Sequence, residues 1–84
     1  MSYTPTLFIK KSDLVKNEKK IEKGIYHKKE ETQKAYEELN VALNKGTIKF
    51  PELELVVIQP EFSGLNNDVR GLMKKLKIDF REEA

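Results

Sequence analysis

Cysteine is absent from this chain of 84 residues, and so is tryptophan. Without cysteine the chain can form no disulfide bond, no thiolate nucleophile and no cysteine-based zinc or iron–sulfur site. Its one histidine, His27, lies among lysines, and no serine has an activating motif around it. No EF-hand or histidine-based metal spacing occurs either. We therefore expect a non-enzymatic protein that has no catalytic residues and binds no cofactor or metal.

Long apolar runs are also missing. No stretch approaches the roughly 18 apolar residues that a membrane span requires, and the N-terminus has no apolar secretory segment. Hydrophobic residues make up 38% of the chain and charged residues 36%, which suffices for one compact core but not for two. These totals predict a single small domain over residues 1–84, located in the cytoplasm and without a membrane partner.

Three segments have the apolar, β-branched character of strands. Residues 6–10 (TLFIK) predict a first strand, buried on both faces. Residues 53–58 (LELVVI) are the strongest strand signal, and their last four residues are continuously apolar, as in a strand covered on both faces. Residues 78–80 (IDF) alternate like a short edge strand. Residues 47–50, before Pro51, predict a short extended lead-in to the second strand.

Two segments have helical periodicity. One apolar stripe, about 120° wide on a helical wheel, consists of Ala35, Tyr36, Leu39, Ala42 and Leu43, and Gly46 ends this helix. A second stripe consists of Leu65, Val69, Leu72, Met73 and Leu76. One helix over residues 13–45 would be about 50 Å long, whereas a domain of this size is about 30 Å across. We therefore expect a break near residues 24–27, and a segment 13–29 that is mobile or dependent on a partner.

The order of these elements predicts an α/β fold with a small three-stranded, mostly parallel sheet in β-α-β-α-β order and helices packed on it. An α+β fold with a hairpin at residues 45–47 is the main alternative. In a parallel sheet, Lys10 and Lys11 would share an edge with residues 59–67, where helix-start amides near Asn66 could hold an anion. The same residues are also explained as a strand end, a turn and a helix cap, and that explanation is the simpler one.

Positive charge is concentrated in the first 29 residues, which carry +5, whereas residues 30–84 carry −3. This asymmetry favours a polyanion as a partner, with Tyr3, Phe8, Tyr26 and His27 as stacking groups. The lysines that would contact it are Lys10, Lys11, Lys19, Lys20, Lys23, Lys28 and Lys29. Arginine is absent from this segment and no nucleic-acid-binding motif occurs. A solvated lysine surface is the simpler interpretation.

Protein binding is the preferred function at this stage. Ile21, Ile25 and Tyr26 keep the helical phase but lie in a weakly anchored segment, so we expect them to be exposed to a protein partner or a second copy. Phe62 is either a core residue, which is the simpler interpretation, or a further aromatic anchor of the kind that is typical of interfaces. The first hypothesis is thus a small interaction protein, of an accessory or regulatory kind expected in a bacterium or phage. The alternative is a weak, salt-sensitive nucleic-acid-binding protein that uses the N-terminal lysines.

Overall fold

A four-stranded antiparallel sheet with helices on one face forms the fold. The computed structural model describes residues 5–26, 29–46, 48–50 and 52–83. The elements are, in order, β1 (Thr6–Lys10), α1 (Lys11–Lys16), α2 (Glu18–Ile25), α3 (Glu30–Lys45), β2 (Ile48–Lys49), β3 (Leu55–Ile58), α4 (Ser63–Lys75) and β4 (Phe80–Glu83).

The sheet has the strand order β2-β3-β1-β4, and every neighbouring pair is antiparallel. The predicted mostly parallel sheet in β-α-β-α-β order is therefore wrong. β1 does lie beside β3, but Leu7 pairs with Ile58 and Lys10 pairs with Leu55, so the two strands run in opposite directions. The reversal comes from β2, which has only two residues and pairs with β3. So short a strand gives no period-two signal in the sequence.

When α1, α2 and α3 are taken together as one helical crossover, the order of elements is that of the split β-α-β arrangement, β-α-β-β-α-β, which is also called ferredoxin-like. β3 and β4 lie on either side of β1, and α4 connects them across the sheet. This arrangement carries many unrelated functions, so function has to be argued from the surfaces of this particular chain.

The turn between β2 and β3 is formed without glycine. Phe50 and Glu54 both have a positive φ, 53° and 50° respectively, and the Leu53 amide donates a hydrogen bond to the Phe50 carbonyl oxygen at 2.9 Å. Because glycine is the usual residue at such positions, its absence here hides the turn at the level of sequence. The hairpin considered at residues 45–47 was placed too early.

Gly46 ends α3 for a reason other than a left-handed backbone. Its φ of −65° and ψ of 142° are extended values that any residue can adopt. A Cβ at this position would overlap Val56 Cγ1 and the Ala42 carbonyl oxygen. The glycine thus allows the end of α3 to lie directly against β3.

The core lies between the sheet and the helices. Leu7 and Ile9 of β1 and Val56 and Ile58 of β3 are buried on the helical face of the sheet. All five residues of the predicted α3 stripe are buried, as are Leu65, Val69, Leu72 and Met73 of the α4 stripe, while Leu76 packs at its edge. Both helical predictions are therefore confirmed.

The predicted helix break is confirmed as well. α2 ends at Ile25 and α3 begins at Glu30, and Gln33 Nε2 donates a 2.7 Å hydrogen bond to the Ile25 carbonyl oxygen across the break. A second break at Asn17 was not predicted. There the side-chain Nδ2 donates to the Asp13 carbonyl oxygen at 2.8 Å, which satisfies a carbonyl at the end of α1.

Lys77 ends α4 in a left-handed conformation, with φ of 60°. Its amide donates to the Lys74 carbonyl oxygen at 3.2 Å, and the Ile78 amide donates to the Met73 carbonyl oxygen at 2.8 Å. These two bonds form a Schellman motif, whose left-handed position is usually occupied by glycine. The buried Ile78 then joins the core next to Met73. It is therefore the end of α4 rather than the edge strand predicted over residues 78–80, and β4 begins only at Phe80.

Replacement of Lys77 by glycine is expected to raise the free energy of unfolding by about 0.5–1 kcal/mol, because glycine adopts this conformation without the Cβ penalty. Urea denaturation measures the change. As a control, Lys74→Gly is expected to lower the free energy of unfolding by about 1 kcal/mol, since Lys74 lies within the helix. A Lys77→Gly variant less stable than the wild type would contradict the assignment of strain at this position.

Candidate functional site on the uncovered sheet face

The two faces of the sheet have different surroundings. Along β1, burial alternates, and Leu7 and Ile9 point into the helical core. Phe8 and Lys10 therefore point to the opposite face. Directly paired residues share a face, and Phe8 pairs with both Val57 and Arg81.

We call this opposite side the uncovered sheet face and define it by Phe8, Lys10, Phe50, Leu55, Val57 and Arg81. The rings of Phe8 and Phe50 are in contact, with centroids 5.9 Å apart and planes inclined by 54°. Phe50 is 52% exposed, and Leu53 in the same turn is also exposed. A hollow of about 290 Å³ beside Phe8 is lined by Lys10, Leu55, Arg81 and the neighbouring Asp79 and Phe80.

The apolar character of the uncovered sheet face departs from the ordinary pattern. An antiparallel sheet with one solvated face usually alternates apolar residues inward with polar residues outward. Here Phe8, Leu55 and Val57 occupy outward positions on the two central strands, and they are only partly buried. The sequence predicted two strands covered on both faces, whereas the described helices lie on one face only.

The predicted anion site at a shared strand edge is wrong. Because β1 and β3 are antiparallel, the end of β3 at Ile58 lies next to Leu7, and α4 begins from that end. Asn66 Nδ2 donates to the Pro5 carbonyl oxygen at 3.2 Å, and Lys10 lies about 16 Å further along the strand at about 3.3 Å per residue. Neither Lys10 nor the adjacent Lys11 is brought to Asn66.

Asn66 is a structural residue rather than a surface ligand or a helix cap. α4 begins at Ser63, so Asn66 lies within the helix, and it is only 1% exposed. Its Oδ1 is buried and has no hydrogen-bond partner among the described residues. The expected helix start near Asn66 was therefore placed about one turn too late.

Four of the expected lysines lie away from the uncovered sheet face. Lys19, Lys20 and Lys23 are exposed on α2, which packs against α3 in the helical layer. Lys29 is exposed immediately before α3. Tyr3, His27 and Lys28 lie outside the described residues. Among the expected lysines that the structure describes, the fold thus places Lys10 beside an aromatic residue of the uncovered sheet face.

The four residues expected to bind a protein partner do not form one surface. Ile21 is 0% exposed, and Ile25 packs against the core, so the expected exposure of Ile21 is wrong. α2 packs along α3; whether residues 13–29 also respond to a partner stays a prediction. Tyr26, at the end of α2, is 85% exposed, and Phe62, at the start of α4, is 47% exposed.

Phe50 and Leu53 were missed because the turn that exposes them was not recognised. One sequence signal did point to this surface. The continuous apolar run of β3 indicates a strand whose two faces are both covered, and the chain's own described helices cover only one of them. Comparisons with protein-family models, with curated proteins and with solved structures found no match to this chain.

The described ranges also bear on metal binding and membrane insertion. They contain no group of three or more histidine, aspartate or glutamate side chains that could hold a metal ion. None of the helices in those ranges has both the length and the apolar character needed to cross a membrane.

Proposed function

We propose that this chain is a non-enzymatic interaction protein of the cytoplasm that binds a second copy of itself through the uncovered sheet face. The observation that carries the proposal is the row of outward apolar residues on the central strands, Phe8, Leu55 and Val57. Apolar side chains that the chain's own helices leave partly exposed gain free energy when another surface covers them.

The charges on this face support a two-fold arrangement. Lys10 lies at one end of β1, and Glu83 lies at the other end, paired with Thr6. A two-fold axis parallel to the plane of the sheet and perpendicular to the strands would place Lys10 of each copy over Glu83 of the other. The Phe8–Phe50 pair would lie between these charge pairs. Arg81, which pairs with Phe8, would face the Arg81 of the other copy, and this like-charge contact weakens the association.

The size of the uncovered sheet face sets the expected strength of association. Four strands about 4.8 Å apart and at most about five residues long span only a few hundred Å². A stable complex typically buries about 800 Å² on each partner. We therefore expect a weak dimer, with a dissociation constant in roughly the micromolar range or above.

Light scattering over a range of protein concentrations tests this proposal. The average molar mass of the wild type is expected to rise from that of a monomer toward that of a dimer as the protein concentration increases. A Phe8→Lys/Val57→Lys variant is expected to stay at one chain, because two charges on the face oppose its burial. Val15→Lys is the control, since Val15 is an exposed apolar residue on α1, and this variant should associate like the wild type.

Single-stranded nucleic acid is the second candidate for the same face. It is favoured by the neighbouring Phe8 and Phe50 rings, since aromatic side chains on a sheet stack with bases, and by the adjacent Lys10 and Arg81. Asp79 and Glu83 on the same edge of the sheet, and the position of the α2 lysines in the helical layer, weigh against it. Only Lys10 and Arg81 are described basic side chains beside the rings.

A labelled oligonucleotide distinguishes the two candidates. One outcome is that the oligonucleotide binds at low salt, binds much more weakly as salt is added, and does not bind the Phe8→Lys/Val57→Lys variant. That result would identify nucleic acid, and not a second copy of the chain, as the ligand of this face. If the wild type stays at one chain at all concentrations and binds no oligonucleotide, self-association through this face is excluded.

A further inference from the structure

A second surface lies on the helical side of the protein, between α3 and α4. One hollow of about 560 Å³ is lined by Glu30, Lys34, Phe62, Gly64, Leu65, Asn67 and Asp68. A neighbouring hollow of about 400 Å³ is lined by Lys34, Glu37, Glu38, Val41, Glu61, Phe62 and Leu65. Because Lys34, Phe62 and Leu65 line both, the two hollows form one continuous depression, which we call the α3–α4 groove.

The α3–α4 groove is acidic in a chain whose net charge is positive. Its lining contains five carboxylates, Glu30, Glu37, Glu38, Glu61 and Asp68, and one ammonium group. That ammonium, Lys34 Nζ, lies 3.7 Å from Glu30 Oε1. The remaining carboxylates therefore lack a cation from within the lining of the groove.

The pKa of Glu38 reflects the burial and the negative charge of the groove. Its pKa is raised above the ordinary value of 4.5, first by burial and then by the neighbouring charges of Glu61 and Glu37. Carboxylates that repel one another in a partly desolvated site gain free energy when a cation approaches. This arrangement weakens the isolated fold slightly and favours a positively charged ligand.

Phe62 gives the groove an apolar centre at the expense of a helix cap. It occupies the N-cap position of α4, where its extended backbone has φ of −146° and ψ of 159°, and no side chain caps the helix. Serine, threonine, aspartate or asparagine at this position stabilises a helix by about 1 kcal/mol relative to apolar residues. A half-exposed phenylalanine thus breaks a local rule, and such exceptions concentrate at functional sites.

We propose that the α3–α4 groove binds a basic amphipathic segment of a different protein. Apolar side chains of that segment would contact Phe62 and the exposed Val41, and its lysine or arginine side chains would pair with Glu37, Glu38 and Glu61. This is the helix-in-groove mode of recognition, in which apolar anchors set the position and charges set the specificity.

A second copy of this chain fits the groove poorly. The chain's own basic helix is α2, with exposed Lys19, Lys20 and Lys23. Its apolar residue Ile21 is fully buried and Ile25 packs against the core. The helix therefore presents its lysines with one exposed aromatic side chain, Tyr26, at its C-terminal end, and not with an apolar face that could cover Phe62 and Val41. The chemistry of the groove therefore indicates another protein as its ligand.

A labelled 14-residue helix-forming peptide, with lysine on one face and leucine on the other, is the probe. Two controls are a glutamate and leucine peptide of the same pattern and a scrambled lysine and leucine peptide. The amphipathic lysine peptide is expected to bind at least about tenfold more tightly than either control. Its addition should shift the amide resonances of Lys34, Glu38, Phe62 and Leu65, and leave those of Phe8 and Val57 unchanged.

Phe62→Ser separates binding from folding. Serine removes the apolar anchor but supplies the missing cap, so the variant is expected to melt at the same or a higher temperature and to bind the probe at least about tenfold more weakly. Glu38→Gln/Glu61→Gln should also weaken binding and reduce its salt dependence. Glu18→Gln/Glu22→Gln is the matched control, because both residues are exposed on α2, and it should bind like the wild type.

Three results would overturn the proposal. The first is equal binding of the scrambled lysine peptide, which indicates only general attraction to an acidic surface. The second is unchanged binding by a folded Phe62→Ser variant. The third is a wild-type dimer that Phe62→Ser dissociates, which would make a second copy the occupant of the groove.

Discussion

Replacement of Gly24 by alanine lowers the free energy of unfolding by about 2–3 kcal/mol, a typical cost of overpacking a filled core. Gly24 is buried on α2 and lies flat against Tyr36 of α3. A Cβ at this position would overlap the Tyr36 ring at Cγ, Cδ1 and Cε1. Tyr36 is itself buried, so the helices must separate. Since 1 kcal/mol corresponds to about 4–8 °C in a domain of this size, the melting temperature should fall by about 10 °C or more.

Gly71→Ala is the matched control and is expected to have the opposite effect. Gly71 is exposed within α4, and a Cβ there would meet no atom within 4 Å. Alanine in a helix interior is favoured over glycine by about 0.5–1 kcal/mol, so this variant should be more stable than the wild type. Thermal and urea denaturation of both variants give the comparison. A Gly24→Ala variant as stable as the wild type would contradict the close packing of α2 on α3.

Replacement of Asn66 by aspartate is expected to lower the free energy of unfolding at pH 7 by about 3 kcal/mol or more. The substitution removes the Nδ2 donor that bonds the Pro5 carbonyl oxygen and puts a carboxylate in its place. A buried carboxylate facing a carbonyl oxygen has neither solvent nor a donor to stabilise its charge.

The loss of stability in Asn66→Asp should depend on pH in a defined direction. Burial raises the native-state pKa of the new carboxyl group above its unfolded value of about 3.9. The protonated form is therefore favoured in the native state, and the destabilisation is full above the native pKa and fades as the pH falls toward about 4. Below that value the protonated carboxyl group can donate to the Pro5 carbonyl oxygen, and the variant should approach the wild type.

Asn67→Asp is the neighbouring control. Asn67 is exposed, and its Oδ1 accepts a hydrogen bond from Arg70 Nη2, which an aspartate oxygen can also accept. Near the N-terminus of α4 a negative charge is weakly favourable, so this variant should lie within about 0.5 kcal/mol of the wild type. Equal destabilisation by the two aspartates, or a change in Asn66→Asp that does not depend on pH, would contradict the burial assigned to Asn66.

The helices could be predicted from the sequence because their apolar stripes extend over several turns. The α3 stripe from Ala35 to Leu43 and the α4 stripe from Leu65 to Leu76 both face the core. The break after Ile25 followed from length alone, since an unbroken helix would have projected beyond the domain. These predictions depend on short-range periodicity, which a single sequence contains.

The sheet could not be predicted in the same way, because strand direction depends on every intervening turn. One two-residue strand, β2, and a turn without glycine at Phe50 and Glu54 reversed β3 relative to the expectation. The apolar character of β1 and β3 indicates that the two strands lie side by side in the sheet. No short stretch of sequence indicates whether they run parallel or antiparallel. The candidate anion site depended on that direction, so it was lost with the parallel sheet.

The candidate surfaces were predictable only in part. Phe62 was identified as an aromatic residue without an obvious structural role, and it lines the α3–α4 groove. Its acidic surroundings were not anticipated, because Glu38 and Glu61 are distant in sequence and meet only when α4 packs on α3. Phe8 was noted as a stacking group, but its contact with Phe50 depends on the unrecognised turn.

The central position of β1 has a consequence for the rate of folding. Its partners come from distant parts of the chain, since Leu7 pairs with Ile58 and Thr6 pairs with Glu83. Such contacts close long loops, which slows folding relative to a helical protein of the same size. The α2–α3 pair can form early from local contacts, whereas the sheet is complete only after the first and last strands have met.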